Sequence, residues 1–140
     1  KGKYVVGVCM GGTYALLAAC SSDRFAAAAP FYGILSYDAG MLAGPSGRDR
    51  ERKPRSPIEA AGGLRVPLLA SFGVEDDFVP QSDVDALARA LAQSGQPFEI
   101  DRYEDAGHAF LNRTRPGAFR EEATSGAWSR VVPFLRRSLA

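Results

Sequence analysis

The chain has 140 residues, enough for one compact domain with a core of its own. Hydrophobic residues make up 46% and charged residues 24%, the balance of an ordinary globular domain. A net charge of +1 argues against nucleic acid as partner, and no run reaches the roughly 18 apolar residues of a membrane-spanning helix.

Tyr4 to Val8 is apolar and rich in β-branched residues without alternation, which predicts a strand buried on both faces of a parallel sheet. A helix is expected from Gly11 to Cys20. On it, Cys9 and Cys20 stand three turns apart, about 16 Å at the helical rise. A disulfide needs Cα atoms within about 7 Å, so both are expected as free thiols, as suits a cytoplasmic protein. Ala26 to Tyr32 predicts a second strand, packed tightly through its alanines.

Leu35 to Arg65 carries Gly, Pro and charge and predicts a long loop with little regular structure. Within it, Ser46 to Arg55 holds five basic and two acidic residues. It reads as a solvated surface loop or as a lid over a site. Pro67 to Phe72 predicts a third strand. Ser82 to Ser94 predicts a helix, with Ser82 as N-cap, Asp85 completing a capping-box variant and Gly95 at the C-terminal cap. Its apolar stripe is Val84, Leu87, Ala88 and Leu91. Phe98 to Tyr103 predicts a fourth strand. Ala118 to Leu139 predicts a closing amphipathic helix that Pro133 should kink or interrupt. This order implies a single α/β domain, a mostly parallel sheet with helices on its faces.

Three loops carry the residues with chemistry. Gly7-Val8-Cys9-Met10-Gly11-Gly12 follows a strand and opens a helix, the setting of a sharp turn that presents a nucleophile. Glycines at 7 and 11 would relieve collisions there. The helix N-terminus below favours negative charge on Cys9. The Met10 N–H would be one donor to an oxyanion. A structural cysteine in a tight turn is the bland alternative. His108, the sole histidine, lies just after the last strand, where a triad places its base. Between them, Glu75, Asp76 and Asp77 are candidates for the acid that orients the imidazole. A metal centre is not expected: one histidine and two distant cysteines do not meet zinc spacing.

The three loops together resemble the dienelactone hydrolases (carboxymethylenebutenolidases). Gly7 to Gly12 match that family's G-x-C-x-G-G turn. Gly73 to Pro80 match its G-x-x-D-x-x-V-P motif, with Asp76 at the acid position. Tyr103 to Phe110 match Y-x-x-A-G-H-x-F, and Phe31-Tyr32-Gly33 is similar to a strand end that borders the pocket. The resemblance implies an α/β-hydrolase fold, here its C-terminal part, and a triad of Cys9, Asp76 and His108. It implies hydrolysis of a small lactone or ester through a cysteine acyl-enzyme, with no cofactor. Tyr32, Phe110 and Asn112 are the side chains expected at the substrate. Asn112 stands where the family often has arginine, which points away from dienelactone itself. The family's second oxyanion donor, a glutamate near the cysteine and a carboxylate-binding arginine come from strands and loops ahead of this turn. An N-terminal half is therefore expected, with an open sheet edge and little activity in this chain alone. The competing expectation is a non-catalytic α/β module that binds a ligand or partner.

Overall fold

A computed structural model describes residues 2–140. Four parallel strands form one sheet in the order β1-β2-β3-β4: β1 Tyr4–Val8, β2 Ala27–Phe31, β3 Leu68–Gly73 and β4 Phe98–Tyr103. The helices are α1 Met10–Ser21, α2 Pro57–Ala60, α3 Gln81–Ala92 and α4 Glu121–Ser138. Every strand pairs with its neighbour in sequence, with Tyr4 opposite Ala27 and Leu68 opposite Phe98. Parallel pairing brings the C-terminal ends of all four strands to one rim, where the loops after β1, β3 and β4 meet.

Strand alternation divides the core into two layers. Ala28, Leu68, Ala70 and Phe72 pack with Leu16 of α1 and Val84, Leu87 and Leu91 of α3. Ala27, Ala29, Phe31 and Leu69 pack with Ala127, Val131 and Leu135 of α4. The alanines of β2 have no exposure at all, as the expected tight packing requires.

Several expectations are corrected. β1 is not buried on both faces: it is an edge strand, with Val6 44% and Val8 47% exposed. Composition makes a strand apolar, but its place in the sheet decides its burial. The segment between β2 and β3 is less irregular than expected. It holds 3₁₀ turns at Gly40–Leu42 and Ala61–Gly63 and the short α2. Ser56 accepts from the Glu59 N–H while Glu59 accepts from the Ser56 N–H, a full capping box with Pro57 at the first turn. The basic stretch is only partly solvated. The Arg48 side chain is 2% exposed and donates to Lys53 O at 2.8 Å, Pro54 O at 2.5 Å and Glu59 Oε1 at 2.9 Å.

At α3, Ser82 makes no cap. The helix begins one residue earlier, and the Pro80 carbonyl accepts from the Asp83 and Val84 N–H groups. Proline's fixed φ sets this extended entry. Ala88 is only half-buried, whereas Val84, Leu87 and Leu91 are fully covered. Gly95 does adopt the left-handed conformation, at φ 74°. α4 runs through Pro133 without interruption. Val131 and Leu135, buried on either side of it, hold that turn on the sheet. No described helix is long and apolar enough to cross a membrane.

Candidate active site

The turn after β1 shows why its sequence is glycine-rich. A Cβ on Gly7 would collide with the Gly11 carbonyl, and one on Gly12 with the Phe31 carbonyl. Gly11, by contrast, faces open space, so the second steric requirement falls on Gly12. Held in this turn, Cys9 has φ 55°, a conformation rare for a residue with a side chain. Its amide donates to Phe31 O, and its carbonyl accepts from the Gly12 and Thr13 N–H groups to start α1. The side chain is thereby lifted off the sheet at the helix N-terminus, where the unsatisfied N–H groups favour negative charge.

His108 lies in the loop after β4, and Asp76 in the loop after β3. Cys9 Sγ is 3.1 Å from His108 Nε2. His108 Nδ1 donates to Asp76 Oδ2 at 2.8 Å. Asp76 is buried, and its other oxygen accepts from the Phe78 N–H at 2.8 Å and the Val79 N–H at 3.2 Å. Both carboxylate oxygens are thus occupied and the imidazole tautomer is fixed. Glu75 and Asp77, the other candidate acids, are exposed. Burial works against a charged imidazole. The hydrogen bonds to Asp76 and Cys9, with the charges on both, outweigh it and raise the His108 pKa above the ordinary histidine value.

A cavity of about 510 Å³ opens at these residues, lined by Val8, Cys9, Tyr32, His108, Ala109, Leu111, Asn112, Arg115 and Trp128. Among the described residues, Cys9, Tyr32 and Ala109 are the non-glycine residues with positive φ. All three line this cavity, so the backbone strain of the molecule gathers at one site. Tyr32 is where the sequence placed it. Its ring packs edge-on to His108 at 5.2 Å, and burial, with the nearby Cys9, pushes its hydroxyl up to about 12. Asn112 also reaches the cavity. Its Oδ1 accepts from the Thr114 N–H and hydroxyl. The Met10 N–H, first in α1, has no intrahelical acceptor, and no other backbone acceptor takes it among the described residues.

Phe110 is the exception. It has no exposure and packs beneath Tyr32 and Tyr103 in the core, so it does not line the cavity as expected. The left-handed Ala109 between them sends the two neighbours different ways: His108 to the site, Phe110 to the interior. Arg115 and Trp128 line the site without having been expected there. Arg115 lies seven residues beyond His108 and Trp128 on α4, and no local spacing ties either to the turn at Cys9.

The model of the dienelactone hydrolase family matches residues 3–139. The chain belongs to this family. Over 137 residues it is 34% identical to a carboxymethylenebutenolidase of Rhodococcus opacus, covering 96% of this chain and 50% of that protein. It is 30% identical over 132 residues to a Bradyrhizobium protein assigned as a 2-oxo-3-(5-oxofuran-2-ylidene)propanoate lactonase, covering 94% and 49%. A solved structure from Klebsiella pneumoniae, assigned as a dienelactone hydrolase, superposes with a TM-score of 0.79 at 27% identity, over 95% of this chain and 51% of that one. The fold is that of the α/β-hydrolases, and the chain spans about half the length of these relatives.

Proposed function

We propose that this dienelactone hydrolase domain cleaves a small lactone or ester by nucleophilic attack of Cys9. The observation that carries the reading is the unbroken chain from Cys9 Sγ through the His108 ring to a buried, doubly anchored Asp76, opening on a cavity. His108 takes the thiol proton as the Cys9 sulfur bonds to the carbonyl carbon. The carbonyl oxygen becomes an oxyanion facing the free Met10 N–H. The intermediate collapses by breaking the ring or ester C–O bond, and His108 gives its proton to the departing oxygen. Water, deprotonated by His108, then attacks the thioester and releases the acid and the thiol. Asp76 keeps the Nδ1–H directed at itself and stabilises the imidazolium.

In this reading an upstream segment, matching the other half of the relatives' length, covers β1 and supplies the second oxyanion donor. One missing donor typically costs about 10²–10³ in kcat, so the 140-residue chain alone should turn over little. Free thiols at both cysteines suit a reducing cytoplasm.

Intact-mass analysis after a pulse of p-nitrophenyl acetate tests the nucleophile directly. One acetyl group should appear on Cys9, persist in Cys20→Ala and vanish in Cys9→Ala. A label shared equally by the two thiols would favour the non-catalytic module instead.

A further inference from the structure

We infer that Phe78 is a positioning residue whose ring holds the His108 imidazole in line between Asp76 and Cys9. The inference rests on the proposed Cys9–His108 couple and adds to it a side chain that makes no hydrogen bond of its own.

Phe78 sits in the loop that presents the acid. Its own N–H binds Asp76 Oδ1 at 2.8 Å. Its side chain adds little to the interior, being 46% exposed, while its neighbour Val79 is fully buried and anchors the loop. An exposed phenylalanine alone means little. Here, however, the ring centroid lies 4.9 Å from that of His108 with the planes at 72°. That is the edge-to-face arrangement aromatic pairs prefer. Tyr32 makes a second such contact with the same imidazole, at 5.2 Å and 62°. Two hydrogen bonds direct the ring nitrogens at Asp76 and Cys9, while the tilt of the imidazole plane also depends on what packs against it. The ring contacts restrain that tilt. Phe78 is thus coupled to the triad twice, through its amide to the acid and through its ring to the base.

The Phe78 ring packs against an imidazole that is only 12% exposed. The groups that bear on the imidazole are Asp76 from the loop after β3, Cys9 from the turn after β1 and the Tyr32 ring after β2, with Arg115 on the cavity wall. Asp77 and Asp83 share a hollow with Phe78. Removing the ring would admit water beside the imidazole and loosen its alignment with Cys9, so the reactivity of the thiol should fall.

The test uses the 140-residue chain and needs no turnover. The rate of Cys9 alkylation by iodoacetamide is measured against pH, with Cys20 as internal control, and the resonance of the lone histidine is titrated by NMR. In Phe78→Ala the Cys9 rate on the acid flank should fall roughly tenfold, a shift of about one pH unit. The His108 titration should shift with it, and Phe78→Tyr should restore both within about twofold. Should Phe78→Ala not fold, Phe78→Leu serves, with the same losses expected. Folded Phe78→Ala or Phe78→Leu protein with unchanged Cys9 and His108 profiles would overturn the inference. A wild type whose Cys9 reacts no faster than Cys20 would instead defeat the hydrolase reading, and the His108 titration would still decide the role of Phe78.

Discussion

Strands β1 and β3 read alike in the sequence and behave differently in the fold. Both are apolar, and each delivers one member of the site to the same rim. β3 is buried along its whole length between β2 and β4. Its loop holds Asp76 by two amide hydrogen bonds. Among the described residues β1 has a neighbour on one side only, and Val6 and Val8 are partly exposed. Its turn presents Cys9 under backbone strain. Asp76, the proposed acid, therefore follows the best-supported of the described strands, and Cys9, the proposed nucleophile, the least. The loop at Asp76 follows a strand held at the centre of the sheet, while the turn at Cys9 depends on local glycine geometry.

The largest expected effect cuts the link between the two strands. On the proposed mechanism, Asp76→Asn should lower turnover by about 10⁴, as loss of the correct tautomer does in an analogous triad. Steady-state kinetics with unchanged circular dichroism would establish it, and a drop under tenfold would show that the central strand does not orient the base. Next comes the contrast in burial. Phe72→Ala in β3, at 1% exposure, should cost about 3–5 kcal/mol, whereas Val6→Ala in β1 should cost about 1 kcal/mol or less. Urea unfolding of the two variants measures the difference, and equal costs would break the comparison. Smaller again is Ser56→Ala, which removes the cap of α2 at about 1 kcal/mol, read from the same unfolding curves.

The subtlest effect concerns His108, whose folded pKa lies above the ordinary value. Its imidazolium adds stability that is fully present below the unfolded pKa of about 6.5 and is lost as pH rises through the folded value. His108→Gln should accordingly cost more stability at about pH 5.5 than at about pH 9. A pH-independent cost would mean that the charged pair with Asp76 contributes nothing to the fold.

The legible parts of the site are those that local chemistry dictates. Gly7 is required because any side chain would strike the Gly11 carbonyl, and that need is written within five residues. Cys9, Asp76 and His108 each follow a strand, so parallel topology gathers them on one rim. Order along the chain therefore already placed them together. The Ser56–Glu59 capping box was equally local and readable, with Pro57 beside it, but it was hidden by the polar composition of the segment around it.

Other features were settled only by contacts distant in sequence. The pattern of β1 and β3 does not say which is flanked on both sides, because pairing depends on the neighbours a strand acquires. Phe78 and Phe110 each lie two residues from a member of the proposed triad, yet one packs against the imidazole while the other fills the core. Their backbone directions separate them: Ala109 turns left-handed before Phe110, and the buried Val79 anchors the chain just after Phe78. Arg115 and Trp128 reach the cavity by the same kind of long-range placement. The sequence by itself determined the turns, the order of strands and the reactive groups, because steric and hydrogen-bond demands act over a few residues. The tertiary structure alone decided how far each strand is covered and which side chains enclose the site, because those follow from packing across the sheet.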